Sequence, residues 1–178
     1  MKYNPTEAAL MLSRTPAALD TWLRGVPSDW LYGTEGPETW SPFDVVGHLV
    51  HGERADWIAR AKIILQHGET RAFDPFDRFA QFQTSRGKAV EDLLDEFASL
   101  RAANLTELDG LEIGAADYAK KGKHPALGVC TLEELLSTWV VHDLNHISQI
   151  ARVMAKQYAE EVGPWREYLP ILQPRAKK

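Results

Sequence analysis

The chain has a single cysteine, Cys130, among its 178 residues. No intramolecular disulfide can form, which excludes the small stapled folds of secreted proteins and fits a reducing compartment. Long apolar runs are missing as well. No stretch is long enough to span a bilayer, and no signal-like apolar segment follows Met1-Lys2-Tyr3-Asn4-Pro5, so no membrane role and a cytoplasmic location are expected. Concentrated positive charge is also lacking. The net charge is −5, and an acidic chain with scattered basic residues makes a poor ligand for a phosphate backbone. The segment Lys120-Lys121-Gly122-Lys123 reads as a solvated loop, and Arg175, Lys177 and Lys178 read as a frayed tail. There is no Gly-rich phosphate loop, no internal repeat, and no apolar–polar alternation strong enough for a sheet.

The chain does have helix formers in quantity. Its length suits one domain over 1–178, with enough residues to bury a core unaided. Prolines at 16, 42, 75, 125 and 164 punctuate it, because each removes a backbone donor and clashes inside a helix. Between them Ala, Leu, Glu, Arg and Lys predominate. A first helix is expected over 6–25, with Leu10, Leu19, Trp22 and Leu23 on its apolar side and a kink or restart at Pro16. A second is expected from Pro42, capped by Ser41 and stapled by Trp40, to about Gln66, with Gly68 ending it. A third runs from about Pro75 to Leu108, with Gly87 as a weak point. A fourth starts at the capping box Thr131-Leu132-Glu133-Glu134 and reaches about Tyr158. Residues 26–41, 68–75 and 109–130 read as loops, and a short turn around Pro164 to Tyr168 closes the chain. Four long helices make an all-α fold, an antiparallel four-helix bundle with long interhelical loops.

The strongest chemical signal is His142-Asp143-Leu144-Asn145-His146. Histidines four apart project from one side of a helix and can grip one metal ion. Leu132, Leu136, Trp139, Ile150 and Met154 share a stripe on that helix; His146 lies about 40° from its centre, His142 about 80° and Asp143 about 20°. Polar residues on a core-facing stripe need partners. A metal with Asp143 behind it as a hydrogen-bonding carboxylate would satisfy all three, and so would a His–Asp core network without metal. A third ligand must come from elsewhere: His48, His51, Glu53, His67 and His124 are the candidates, and helical periodicity does not choose among them.

Two segments together resemble the DinB-like superfamily. One is Trp40-Ser41-Pro42-Phe43-Asp44-Val45-Val46-Gly47-His48-Leu49. The other is Trp139-Val140-Val141-His142-Asp143-Leu144-Asn145-His146-Ile147-Ser148-Gln149-Ile150, which sets His142 94 positions after His48. The resemblance covers nearly the whole chain. It implies a four-helix bundle, a homodimer, and a divalent metal, Zn²⁺ or Ni²⁺, on His48, His142 and His146. Relatives include bacillithiol S-transferases and mycothiol-dependent maleylpyruvate isomerase, so it also implies a small-molecule substrate, with a low-molecular-weight thiol as the metal-activated group. Some relatives carry a further histidine where this chain has Asn145.

The expected activity is thus a metal-dependent thiol transfer. Alternatives are hydrolysis at the same site, with water as nucleophile, or a non-catalytic metal-binding, stress-related interaction module on a retained scaffold. Catalytic acids and bases are not identifiable from the residues. Asp143, Trp139 and Asn145 are expected around the metal, with Trp139 lining the pocket. Gln149 reads more simply as a polar flank, Glu53 as a salt-bridged carboxylate, His124 as a loop residue, and Cys130 as a small buried hydrophobe remote from the metal.

Overall fold

Each long helix starts at a side chain that takes up its free amides. Asn4 Oδ1 accepts from the backbone N–H of Thr6 and Glu7 (3.0 and 3.2 Å), opening α1 (Pro5–Leu23). Ser41 and Asp44 exchange side-chain-to-backbone bonds at the head of α3 (Pro42–Ala55), and Thr131 and Glu134 do so at the head of α7 (Leu132–Lys156), the capping boxes read from the sequence. Between them lie α2 (Ser28–Tyr32), α4 (Trp57–His67), α5 (Gln81–Thr84) and α6 (Val90–Gly110). A hairpin, β1 (Lys121–His124) and β2 (Gly128–Thr131), leads into α7. This is the arrangement of a computed structural model in which residues 1–173 are described; the basic tail at Arg175, Lys177 and Lys178 lies outside them.

Four long rods form an all-α bundle: α1, the α3–α4 pair, α6 and α7. Helix α6 packs on α1 and α3, and α7 packs on α1, α3 and α4, so α1 and α3 occupy opposite corners. One core cluster gathers Leu19, Val46, Leu94, Phe97 and Ile150; a second gathers Leu12, Trp57, Ile64, Leu136 and Trp139. Each such side chain contributes roughly 1.5–3 kcal/mol by leaving water. The stripe expected on α7 is the buried one.

Several expectations are corrected. Helix α1 runs unbroken through Pro16. Proline lacks the N–H that would bond the Leu12 carbonyl, and Arg101 Nη1 donates to that oxygen instead (2.7 Å), which removes the cost of the missing bond. The second helix is broken at Asp56, whose φ of −112° and ψ of −80° leave the helical region; no proline or glycine marks the position. The third helix begins only at Val90, because Gly87 takes φ +77° and turns the chain. Ahead of it, α5 lies so close to α3 that a Cβ on Gly47 would sit 2.3 Å from Ser85 Oγ. Residues 26–41 include α2, and the long loop 109–130 contains an antiparallel hairpin, tied to the loop after α4 by the Phe73 N–H bond to the Lys123 carbonyl (2.9 Å). No helix among the described residues is long and apolar enough to cross a membrane.

Candidate metal centre

Three imidazoles converge from two rods. His48 stands on α3, about two turns after Ser41; His142 and His146 stand one turn apart on α7. His142 Nε2 lies 3.3 Å from His48 Nε2 and 3.1 Å from His146 Nε2. Zinc–nitrogen bonds of 2.0–2.1 Å opening at a tetrahedral angle place ligand nitrogens about 3.3 Å apart. The spacing therefore fits a single ion bound on the Nε2 side of the rings, and each of the three residues offers a ligand atom within 4.8 Å of the other two.

The rings are also in the right protonation state. Burial lowers His48 and His142 to about 3, and the neighbouring histidines push the same way; burial lowers His146 as well. All three stay neutral at pH 7, and neutral imidazole is the metal-binding form. The burial comes from aromatic walls. Trp40 lies against His48 (centroids 4.8 Å apart) and stacks over His146, Phe76 meets His48 edge-on (5.7 Å), and Trp57 meets His142 (5.1 Å).

Behind the ligands, His146 Nδ1 pairs with Gln149 Oε1 at 2.9 Å. A carbonyl oxygen there accepts the Nδ1 proton and leaves the Nε2 lone pair facing the site. His142 Nδ1 is buried with no such partner among the described residues. Asp143 does not play the part expected of it: both its oxygens accept from Arg101 (2.7 and 3.0 Å), not from an imidazole. Trp139 is likewise displaced from the pocket. It is fully buried, stacks on Trp57 at 5.8 Å and donates its indole N–H to Glu53. Glu53 is a salt-bridged core carboxylate, held by Arg101, Trp139 and Asn104. Asn145 lies at the exposed rim of the cavity.

That cavity has a volume of about 1030 Å³ and is lined by all three histidines. Of the other third-ligand candidates, His51 packs on Phe76 and His67 ends α4, both outside the group of three. His124 and Cys130 both reach the cavity wall. Sequence reading missed Asp56 and Arg60 there, and undervalued Gln149. For Gln149 the signal was present, since a residue three after His146 shares its helix face.

A helical bundle with three neutral imidazoles aimed at one point has the donor set that could hold a divalent metal ion. Residues 11–150 match the DinB superfamily, and the chain belongs to it. No curated protein matches. Among solved structures, the fold is similar to YfiT from Bacillus subtilis, described as a probable metal-dependent hydrolase with an unusual four-helix bundle topology. The two share 21% identity at a TM-score of 0.74, over 88% of this chain and 94% of that one.

Proposed function

We propose that the protein is a metal-dependent enzyme that activates a thiol and transfers it to an electrophilic small molecule. The observation that carries this reading is the spacing of the three Nε2 atoms, 3.1 and 3.3 Å. Three neutral ligands would leave a divalent ion, Zn²⁺ or Ni²⁺, its full charge and at least one open position, where it lowers the pKa of a bound thiol or water. His48, His142 and His146 would hold it, Gln149 would fix the ring of His146, and Trp40, Trp57 and Phe76 would keep water from the reacting groups. A cavity of about 1030 Å³ stands at the upper end of ordinary ligand sites and has room for a thiol beside its acceptor.

Hydrolysis is the second reading, with water in place of the thiol at the same position, and the likeness to YfiT, described as a probable metal-dependent hydrolase, supports it. Purified protein loaded with Zn²⁺ or Ni²⁺ would be offered low-molecular-weight thiols with electrophilic acceptors and, separately, esters and amides without thiol. Thiol consumption that disappears in His142→Ala supports transfer. Turnover only without thiol supports hydrolysis. Turnover of neither kind overturns the enzymatic reading.

A further inference from the structure

At one end of the cavity stands a donor pair that the metal reading does not use. Arg60, on α4, is 9% exposed. Its Nε is held by Asp56 Oδ1 at 2.6 Å, and its guanidinium carbon sits 5.3 Å from the centre of the Phe73 ring. A guanidinium ion-paired on its Nε side keeps its outer edge, Nη1 and Nη2, free. Neither atom is hydrogen-bonded among the described residues, and Arg60 lines the same cavity as the three histidines.

His124 also packs on Phe73, its ring edge-on at 6.1 Å, and it lines the same cavity. Its Nδ1 accepts from the backbone N–H of Ala126 and of Leu127, both at 3.1 Å. Two amide donors on Nδ1 require a lone pair there, so the ring proton resides on Nε2, which has no partner among the described residues. The hairpin turn thus presets His124 as a donor in the cavity wall. The acids nearby are already engaged. Asp56 is spent on Arg60, and Glu134 Oε2 accepts from the backbone N–H and hydroxyl of Thr131 (2.7 and 3.0 Å).

We propose that Arg60 and His124 form a carboxylate subsite, so that the small molecule bound at the metal carries a carboxylate reaching toward Phe73. The free edge of a guanidinium matches the two oxygens of a carboxylate, and Arg60 is held in place before the ligand arrives. This inference rests on the metal reading for the other end of the ligand.

The test uses full-length protein loaded with Co²⁺ and matched thiols that differ at one end: 3-mercaptopropionate against 3-mercapto-1-propanol, and 6-mercaptohexanoate against 6-mercapto-1-hexanol. Binding is followed by the sulfur-to-cobalt charge-transfer band. In at least one pair the acid should bind about ten- to a hundredfold tighter than the alcohol, as expected for a charge-assisted contact. In Arg60→Gln that ratio should collapse toward one, and in Arg60→Lys, which keeps the charge without the fork, it should fall partway. The cobalt spectrum and circular dichroism of each variant report that the site and fold are intact. Titration of metal-free protein, read by tryptophan fluorescence beside the cavity, separates the two claims. An acid preference that depends on Arg60, with no charge-transfer band for any thiol, keeps the subsite and sinks thiol binding at the metal. Equal binding of acid and alcohol in both forms of the wild-type protein, or a preference that survives Arg60→Gln, overturns the subsite.

Discussion

Asp143, the residue immediately after His142, grips Arg101 with both carboxylate oxygens, at 2.7 and 3.0 Å. That pair fixes the rotation of α7 and so the direction in which His142 and His146 point. Arg101 reaches beyond it. From α6 the same guanidinium donates to the Leu12 carbonyl on α1 and to Glu53 on α3, so one side chain bonds all three other rods of the bundle. It packs between the two cores, 4.9 Å from the Phe97 ring centre and 5.2 Å from that of Trp139.

Breaking this network should cost much of the fold's stability. Arg101 and Asp143 side chains are each only 2% exposed, and removing one partner of a buried pair strands the other's charge, typically at about 3–5 kcal/mol. Asp143→Ala should lower the urea midpoint of the metal-free protein accordingly. Arg54→Ala, which removes a half-exposed pair with Glu96, should change stability by under about 1 kcal/mol. Comparable losses in the two variants would contradict this ranking.

Gln149 should matter for affinity more than for fold. Gln149→Leu removes the acceptor at His146 Nδ1. Loss of such a ligand-orienting contact typically weakens metal binding about 10–100-fold. Competition with a chromophoric chelator should show that drop while saturating metal still loads one ion per chain. An unchanged dissociation constant would mean that the ring of His146 is held by packing alone.

Acid should destabilise the metal-free protein through the same histidines. His48 and His142 are lowered by burial from 6.5 to about 3, and His146 is lowered too. Between those values the unfolded chain binds more protons than the folded one, so stability is full above about pH 6.5 and falls as pH drops toward 3. Asp56, raised by burial from 3.8 to about 6, acts in the opposite sense within that window, one group against the three site histidines and against His51 and His124, which burial also lowers. Urea midpoints measured from pH 7.5 to 4 should fall more steeply for wild type than for His48→Phe. Parallel slopes would remove this histidine from the account.

Much of the bundle was legible because its signals are local. Ser41-Pro42 and Thr131–Glu134 carry their caps in sequence, and the α7 stripe from Leu132 to Met154 announces its buried side by period alone. The break at Asp56 was not legible, since its carboxylate binds Arg60 one turn later and no helix breaker stands there. The late start of α6 was half legible: Gly87 was visible as a weak point, but its positive φ was not. Of the site, His142 and His146 followed from their spacing. The pairing with His48 came from resemblance, because a contact across 94 residues leaves no periodic trace. The α7 stripe places Asp143 inward, where it lies, yet its partner is a basic residue on another rod. A buried Arg101 four residues after Phe97 was the available hint.

The account stands on three imidazoles sharing one ion, and metal content measured on single-alanine variants tests that most directly. Wild-type protein reconstituted with Zn²⁺ and passed through a desalting column should carry one ion per chain by elemental analysis. His48→Ala, His142→Ala and His146→Ala should each retain little or none, while His51→Ala, His67→Ala and His124→Ala should retain the wild-type amount. Full metal content in any of the first three variants, or its loss in one of the last three, would contradict the assignment.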